Sequence, residues 1–131
     1  MAYLGKTFTL KTQENFDEFL VSLGIPKDHL NAVMSEKPSE TLTKNGDTYT
    51  LKISEETMTF QSGVEFEKSI IGKKSTSIVK ITFVVDGDTL IETQKFADGG
   101  TLTFKKDYSA DKLVVTATSN KWEGVATRIY A

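Results

Sequence analysis

The chain has 131 residues, with 16 Lys and Arg against 18 Asp and Glu, one His and no Cys. The lack of cysteine excludes disulfides, thiolate zinc sites and a Cys nucleophile and fits a reducing compartment, while a net charge of −2 with both signs interspersed leaves no footprint for nucleic acid. Apolar runs such as Phe83-Val84-Val85 are too short for a membrane span and the opening MAYLGKTFTL has no secretory h-region, so one cytoplasmic domain over residues 1–131 is expected.

Taken in chain order, Phe8 and Leu10 alternate with Thr7, Thr9 and Lys11, which predicts a strand. Residues 14–36 then read as helical. Phe16, Phe19, Leu20 and Leu23 recur at i, i+3, i+4 and i+7, with Thr12 as N-cap and Gly24 as the stop. Pro26 suits the first turn of a second helix with the stripe Leu30, Val33 and Met34, closed by Pro38. The short link predicts a helix hairpin, a helix-turn-helix.

Beyond Lys37 the period drops to two. Tyr49, Leu51 and Ile53 share one face; Met58 and Phe60 share the next; Val64, Phe66 and Ile70 follow. Val79, Ile81, Phe83 and Val85 form another face, then Leu90 with Phe96, and then Leu102 with Phe104. Turn signals separate these runs at Asn45-Gly46-Asp47, Ser62-Gly63, Gly72, Asp86-Gly87-Asp88, Asp98-Gly99-Gly100 and Ser109-Ala110-Asp111. The count is about ten strands, which defines an all-β, antiparallel up-and-down barrel with the helix pair over one mouth. Such a sheet is expected to close rather than leave bare edges. Side chains fill a barrel of about eight strands, so a larger one should enclose a cavity.

The last strand carries Ala126-Thr127-Arg128-Ile129-Tyr130, where Arg128 and Tyr130 share a face. On alternation alone, Val125, Thr127 and Ile129 serve equally well as the core face. Lys106 continues the face of Leu102 and Phe104, and either enters the cavity or snorkels out at the strand end. Catalytic and cofactor patterns are absent: no GxSxG, no phosphate-cradling glycine loop, no HExxH, and a single histidine, His29, read as a solvated residue of the helix pair. No metal site, cofactor or enzymatic activity is expected.

Together these segments resemble the intracellular lipid-binding proteins of the fatty-acid-binding family, over the full length. The resemblance rests on Tyr3-Leu4-Gly5-Lys6, Glu14-Asn15-Phe16-Asp17, Lys37-Pro38, Asn45-Gly46-Asp47, Ser62-Gly63-Val64-Glu65-Phe66, Asp111-Lys112-Leu113-Val114-Val115 and Arg128-x-Tyr130. The opening and the segment Asn120-Lys121-Trp122-Glu123-Gly124-Val125-Ala126 are similar to insect midgut members. It implies a monomeric ten-stranded clam with a helical lid, holding a long-chain fatty acid or similar hydrophobic carboxylate on Arg128 and Tyr130. Relatives that bind acids usually have arginine where this chain has Lys106, and an apolar or neutral residue where it has Glu40. Lysine lacks the bidentate fork of arginine. Glu40 is expected to neutralise Lys106 or Arg128 in the empty protein.

Of the remaining polar positions, Glu92 shares the face of Leu90 and Phe96 and is a candidate second counter-ion for Lys106, and Gln94 is expected to bond either the head group with its waters or the protein itself. The expected cavity wall is Phe16, Leu20 and Leu23 from the lid, Tyr49, Leu51, Ile53, Met58 and Phe60 from the early strands, and Val79, Ile81, Phe83, Phe104 and Val115 from the later ones. Phe8 and Trp122 are expected to plug the closed end or lie outside it. Movement is expected at the lid and at the turns near Glu55-Glu56 and Gly72, and Lys73-Lys74 is a candidate for transient membrane contact. Two alternatives stand: a carrier of retinoids or other hydrophobic acids, and a lipid-delivery module acting at membrane surfaces. The second sits poorly with a lid carrying Glu14, Asp17, Glu18, Asp28 and Glu36 against Lys27.

Overall fold

The computed structural model describes residues 3–24, 26–71, 76–97 and 99–131; Gly72, Lys73, Lys74 and Asp98 lie outside these. The strands are β1 (Thr7–Glu14), β2 (Ser39–Asn45), β3 (Thr48–Ile53), β4 (Glu56–Phe60), β5 (Phe66–Ile71), β6 (Thr76–Asp86), β7 (Thr89–Phe96), β8 (Thr101–Tyr108), β9 (Leu113–Ser119) and β10 (Trp122–Tyr130). Helices α1 (Phe16–Ser22) and α2 (Lys27–Ser35) lie between β1 and β2. All pairings are antiparallel, in the order β4-β3-β2-β1-β10-β9-β8-β7-β6-β5.

The ladder does not close by hydrogen bonds: among the described residues β4 and β5 are the ends of the sheet. The expectation of full closure is corrected here. β5 ends its pairing at Phe66 opposite Ile81, so the second half of β6 has a free edge. The loop after β4 covers part of it. Gly63 N–H donates to the Phe83 carbonyl at 2.8 Å, and Val85 N–H donates to Ser62 Oγ at 2.9 Å. Gly63 makes this approach at φ 81°, a conformation that glycine adopts without a Cβ penalty. On the inner face the seam is bridged by rings: Tyr49 stacks on Phe60 at 5.4 Å, Phe60 on Phe83 at 4.3 Å, and Phe83 on Phe66 at 6.1 Å.

The two ends of the barrel differ. At one end Tyr3 stacks on Tyr108 at 4.3 Å with Phe8 against the same ring, over a floor that includes Leu10, Leu42, Leu90 and Leu113. At the other, α1 packs on β10 and β9, burying Phe16, Phe19 and Leu20 against Leu102, Ala117 and Ala126. Trp122 belongs to this end and meets Phe19 at 5.6 Å, so it supports the lid while Phe8 fills the floor. Gly124 leaves room for that indole, because a methyl group there would overlap the Trp122 ring. Gly124→Ala should cost about 1–3 kcal/mol through overpacking, read from urea unfolding. An unchanged midpoint would show that the Trp122 ring moves aside freely.

The helices are shorter than the sequence periodicity implies. Thr12 is the sixth residue of β1 and caps nothing. The N-cap is Asn15, at φ 59°, whose side-chain amide donates to the Val125 carbonyl at 3.2 Å and ties the lid to β10. Leu23 is the C-cap of α1 and is 40% exposed, past the last turn of the apolar stripe. It does not line the interior.

Candidate functional site: a charged cluster inside the clam

Alternation places side chains two apart on one face, and the burial pattern of β10 decides which face looks inward. Ala126 and Tyr130 are buried whereas Val125 is 49% exposed, so Arg128, between the first two, belongs to the inner face. On the neighbouring strand Val115 is opposite Arg128 on one side and Lys106 on the other. The two cations therefore stand at one level, two strands apart.

Lys106 is 3% exposed and donates to Glu40 Oε1 at 2.7 Å. This pair crosses the interior, since β2 and β8 are separated in the sheet by β1, β10 and β9. Glu92 stands 4.0 Å from the same ammonium and accepts from Gln94 Nε2 at 2.5 Å. Burial alone would depress Lys106, but Glu40 and Glu92 outweigh it and hold the ammonium above the ordinary lysine value. Lys106 is thus paired within the protein by two carboxylates.

Arg128 is held differently. Its Nε donates to Gln13 Oε1 at 3.1 Å, and its guanidinium carbon is 4.1 Å from the centroid of the Phe16 ring on α1. Its Nη2 is buried without a hydrogen-bond partner. Tyr130 is beside it, with the guanidinium carbon 5.9 Å from the phenol ring. Burial first, then the Glu40 carboxylate, drives the Tyr130 phenol above the usual tyrosine range, with Arg128 opposing. Burial and then Glu40 act the same way on Tyr108, whose hydroxyl is also buried without a partner.

Gln13 was not legible as a site residue. A register shift between Leu10 and Thr12 puts Leu10 opposite Tyr130 but Gln13 opposite Arg128. The bulge reverses the alternation, so an odd-numbered residue joins the face of even-numbered Phe8 and Leu10.

The cavity has a volume of about 280 Å³. Its apolar wall is Phe16, Pro38, Ile53, Met58, Val79, Ile81, Phe104 and Val115; its polar lining includes Glu40, Glu92, Gln94, Lys106, Arg128 and Tyr130. Glu56 and Lys68 also line it, at exposed positions. Several residues expected in the wall are instead packed behind it. Tyr49, Leu51, Phe60 and Phe83 fill the core at the seam, and Leu20 packs between the lid and the strands. Periodicity assigns a residue to the inner face; whether that part of the interior is hollow depends on how the neighbouring rings fill it.

Lys106, Tyr108 and Tyr130 all hold their protons more tightly in the folded chain than in the unfolded one. Above about pH 10 the folded state then binds more protons than the unfolded state, so stability falls as pH rises, and these groups add no slope at neutral pH. The urea midpoint should drop above that pH, with the tyrosinate absorbance of Tyr108 and Tyr130 appearing only on unfolding. Reversible ionisation of every phenol in the native protein at the ordinary tyrosine value would contradict this.

The chain is thus a helix-lidded, ten-stranded antiparallel clam with a charged cluster inside an apolar wall. No family model matches the chain. Fatty acid-binding protein 2 of Manduca sexta is 45% identical over 134 aligned positions, covering 99% of this chain and 98% of that protein. Fatty acid-binding protein 1 of the same species is 41% identical, covering 99% and 98%. The solved fatty-acid-binding protein isolated from Manduca sexta superposes with a TM-score of 0.86 at 43% identity, covering 98% of each chain. This chain belongs to the fatty-acid-binding protein family.

Proposed function

We propose that the protein binds a long-chain fatty acid reversibly and carries it without chemical change, with the carboxylate on Arg128 and Tyr130 and the tail along the apolar wall. The observation that carries this reading is the buried, unpartnered Nη2 of Arg128 in a chamber that also contains the Tyr130 phenol. A buried donor without an acceptor is costly, and a carboxylate oxygen satisfies it. Fatty-acid-binding relatives that match nearly the whole chain support the same ligand class.

Binding divides unequally between tail and head. Burying a methylene is worth about 0.8 kcal/mol, so a chain of about fifteen contributes on the order of 10 kcal/mol before ordering costs. A charged hydrogen bond adds about 1.5–3 kcal/mol. The tail sets affinity and Arg128 sets the head-group class. Phe16 covers the face of the guanidinium and leaves its in-plane N–H edge to the head group, so movement of α1 admits the chain without uncovering a new anchor. The carrier acts as a monomer in the cytoplasm, in passing contact with membranes when it loads or unloads.

Native mass spectrometry of protein taken from its own tissue tests the reading. A co-purifying acyl chain with a free carboxyl group is expected, and delipidated protein should bind oleate at one to one. A protein that takes up oleate no better than a barrel with its cavity filled would refute it.

A further inference from the structure

Within the cavity the formal charges cancel: Glu40 and Glu92 against Lys106 and Arg128. Three of the four are almost wholly enclosed, with Glu40 at 4%, Glu92 at 5% and Lys106 at 3% exposure. An ionised fatty acid on Arg128 brings in a third carboxylate and leaves the cluster one negative charge in excess. An uncompensated charge in an apolar enclosure is expensive, and a proton is the smallest thing that removes it.

The geometry identifies where that proton goes. Glu40 and Glu92 share one ammonium, at 2.7 Å and 4.0 Å. Glu92 is held on its far side by Gln94. Glu40, and not Glu92, acts on Tyr130, whose ring stands 5.9 Å from the guanidinium carbon of Arg128, so Glu40 is the carboxylate on the head-group side. If Glu40 takes the proton, Lys106 keeps Glu92, Arg128 keeps the ligand, and the interior returns to neutrality. The other elements do not supply the missing charge. From β1 comes uncharged Gln13 and from α1 comes Phe16, while Glu56 on β4 and Lys68 on β5 are exposed and opposite in sign.

Building on the fatty-acid reading, we propose that Glu40 determines head-group selectivity: an ionised acid is held together with one proton on the Glu40–Glu92 pair, and an uncharged amide of the same chain is held with none. The proton arrives from water or with the acid itself, and no covalent bond changes. The protein therefore favours acids at lower pH and shifts towards neutral head groups as pH rises.

Calorimetric titration of delipidated protein with oleate and with oleamide tests this, in two buffers of different ionisation enthalpy, between about pH 6.5 and about pH 8.5, where neither a free carboxylic acid nor a lysine titrates. About one proton should be taken up per oleate, with affinity falling towards tenfold per pH unit, and none per oleamide. Glu40→Gln should abolish most of the proton uptake and bind oleate more tightly than the parent at the upper pH. Oleate bound by the native protein with no proton uptake overturns the proposal and leaves the proposed function intact. Failure of oleate to bind at any pH refutes the proposed function, and this proposal with it. The proton count on the native protein decides the matter even if Glu40→Gln does not fold.

Discussion

Lys106→Met should lower the unfolding free energy by about 3–5 kcal/mol, the cost of removing one member of a buried ion pair and leaving the other charged. Here the loss reaches two groups, because Glu40 and Glu92, both buried, lose the cation they share. The raised lysine value means that its stabilisation is complete at neutral pH and fades only above the ordinary lysine range, so the loss is fully visible at pH 7. Two further measurements distinguish charge from shape. The variant should regain stability on acidification, as the stranded carboxylates take up protons, and adding Glu40→Gln and Glu92→Gln should restore much of the loss at neutral pH. Replacing a whole buried cluster by neutral groups of similar volume is often close to neutral. A Lys106→Met protein with an unchanged urea midpoint would show that the cluster is solvated.

Arg128→Ala should weaken oleate binding by about tenfold to a hundredfold, corresponding to about 1.5–3 kcal/mol for a charge-assisted contact, and weaken methyl oleate far less. The ester keeps the tail and the shape but cannot offer a charged oxygen to Nη2. Removing the guanidinium also leaves Glu40 and Glu92 against a single cation, which repels an incoming acid further. Fluorescence competition on delipidated protein separates the two ligands. Equal losses for acid and ester would mean that Arg128 acts through packing against Phe16 rather than through its charge. A greater loss from Lys106→Met than from Arg128→Ala would move the carboxylate to the lysine.

Much of the site was already legible in the chain. Arg128-x-Tyr130 at the end of the last strand, and Lys106 in phase with Leu102 and Phe104, follow from a period of two once the inner face is known. Periodicity alone could not say which face that was. The burial of Ala126 and Tyr130, with Val125 outside, decided it. Glu40 was out of place as a charged residue on an inner face, and its partner lies 66 residues further along the chain, across the sheet.

By itself, the sequence determined the element types, the hairpin succession and the placing of Arg128 and Tyr130 in phase on one strand, because these depend on local period, turn chemistry and side-chain type. The tertiary structure alone decided three things. It left β4 and β5 unpaired with each other and bridged the seam with the stacked rings of Phe60, Phe83 and Phe66. It brought Gln13 to Arg128 through a bulge that reverses the alternation. It engaged Lys106 with Glu40 across the interior, from β8 to β2, while leaving Arg128 Nη2 unpaired. Distances across a cavity are set by how the whole sheet bends, and no local stretch of sequence encodes that.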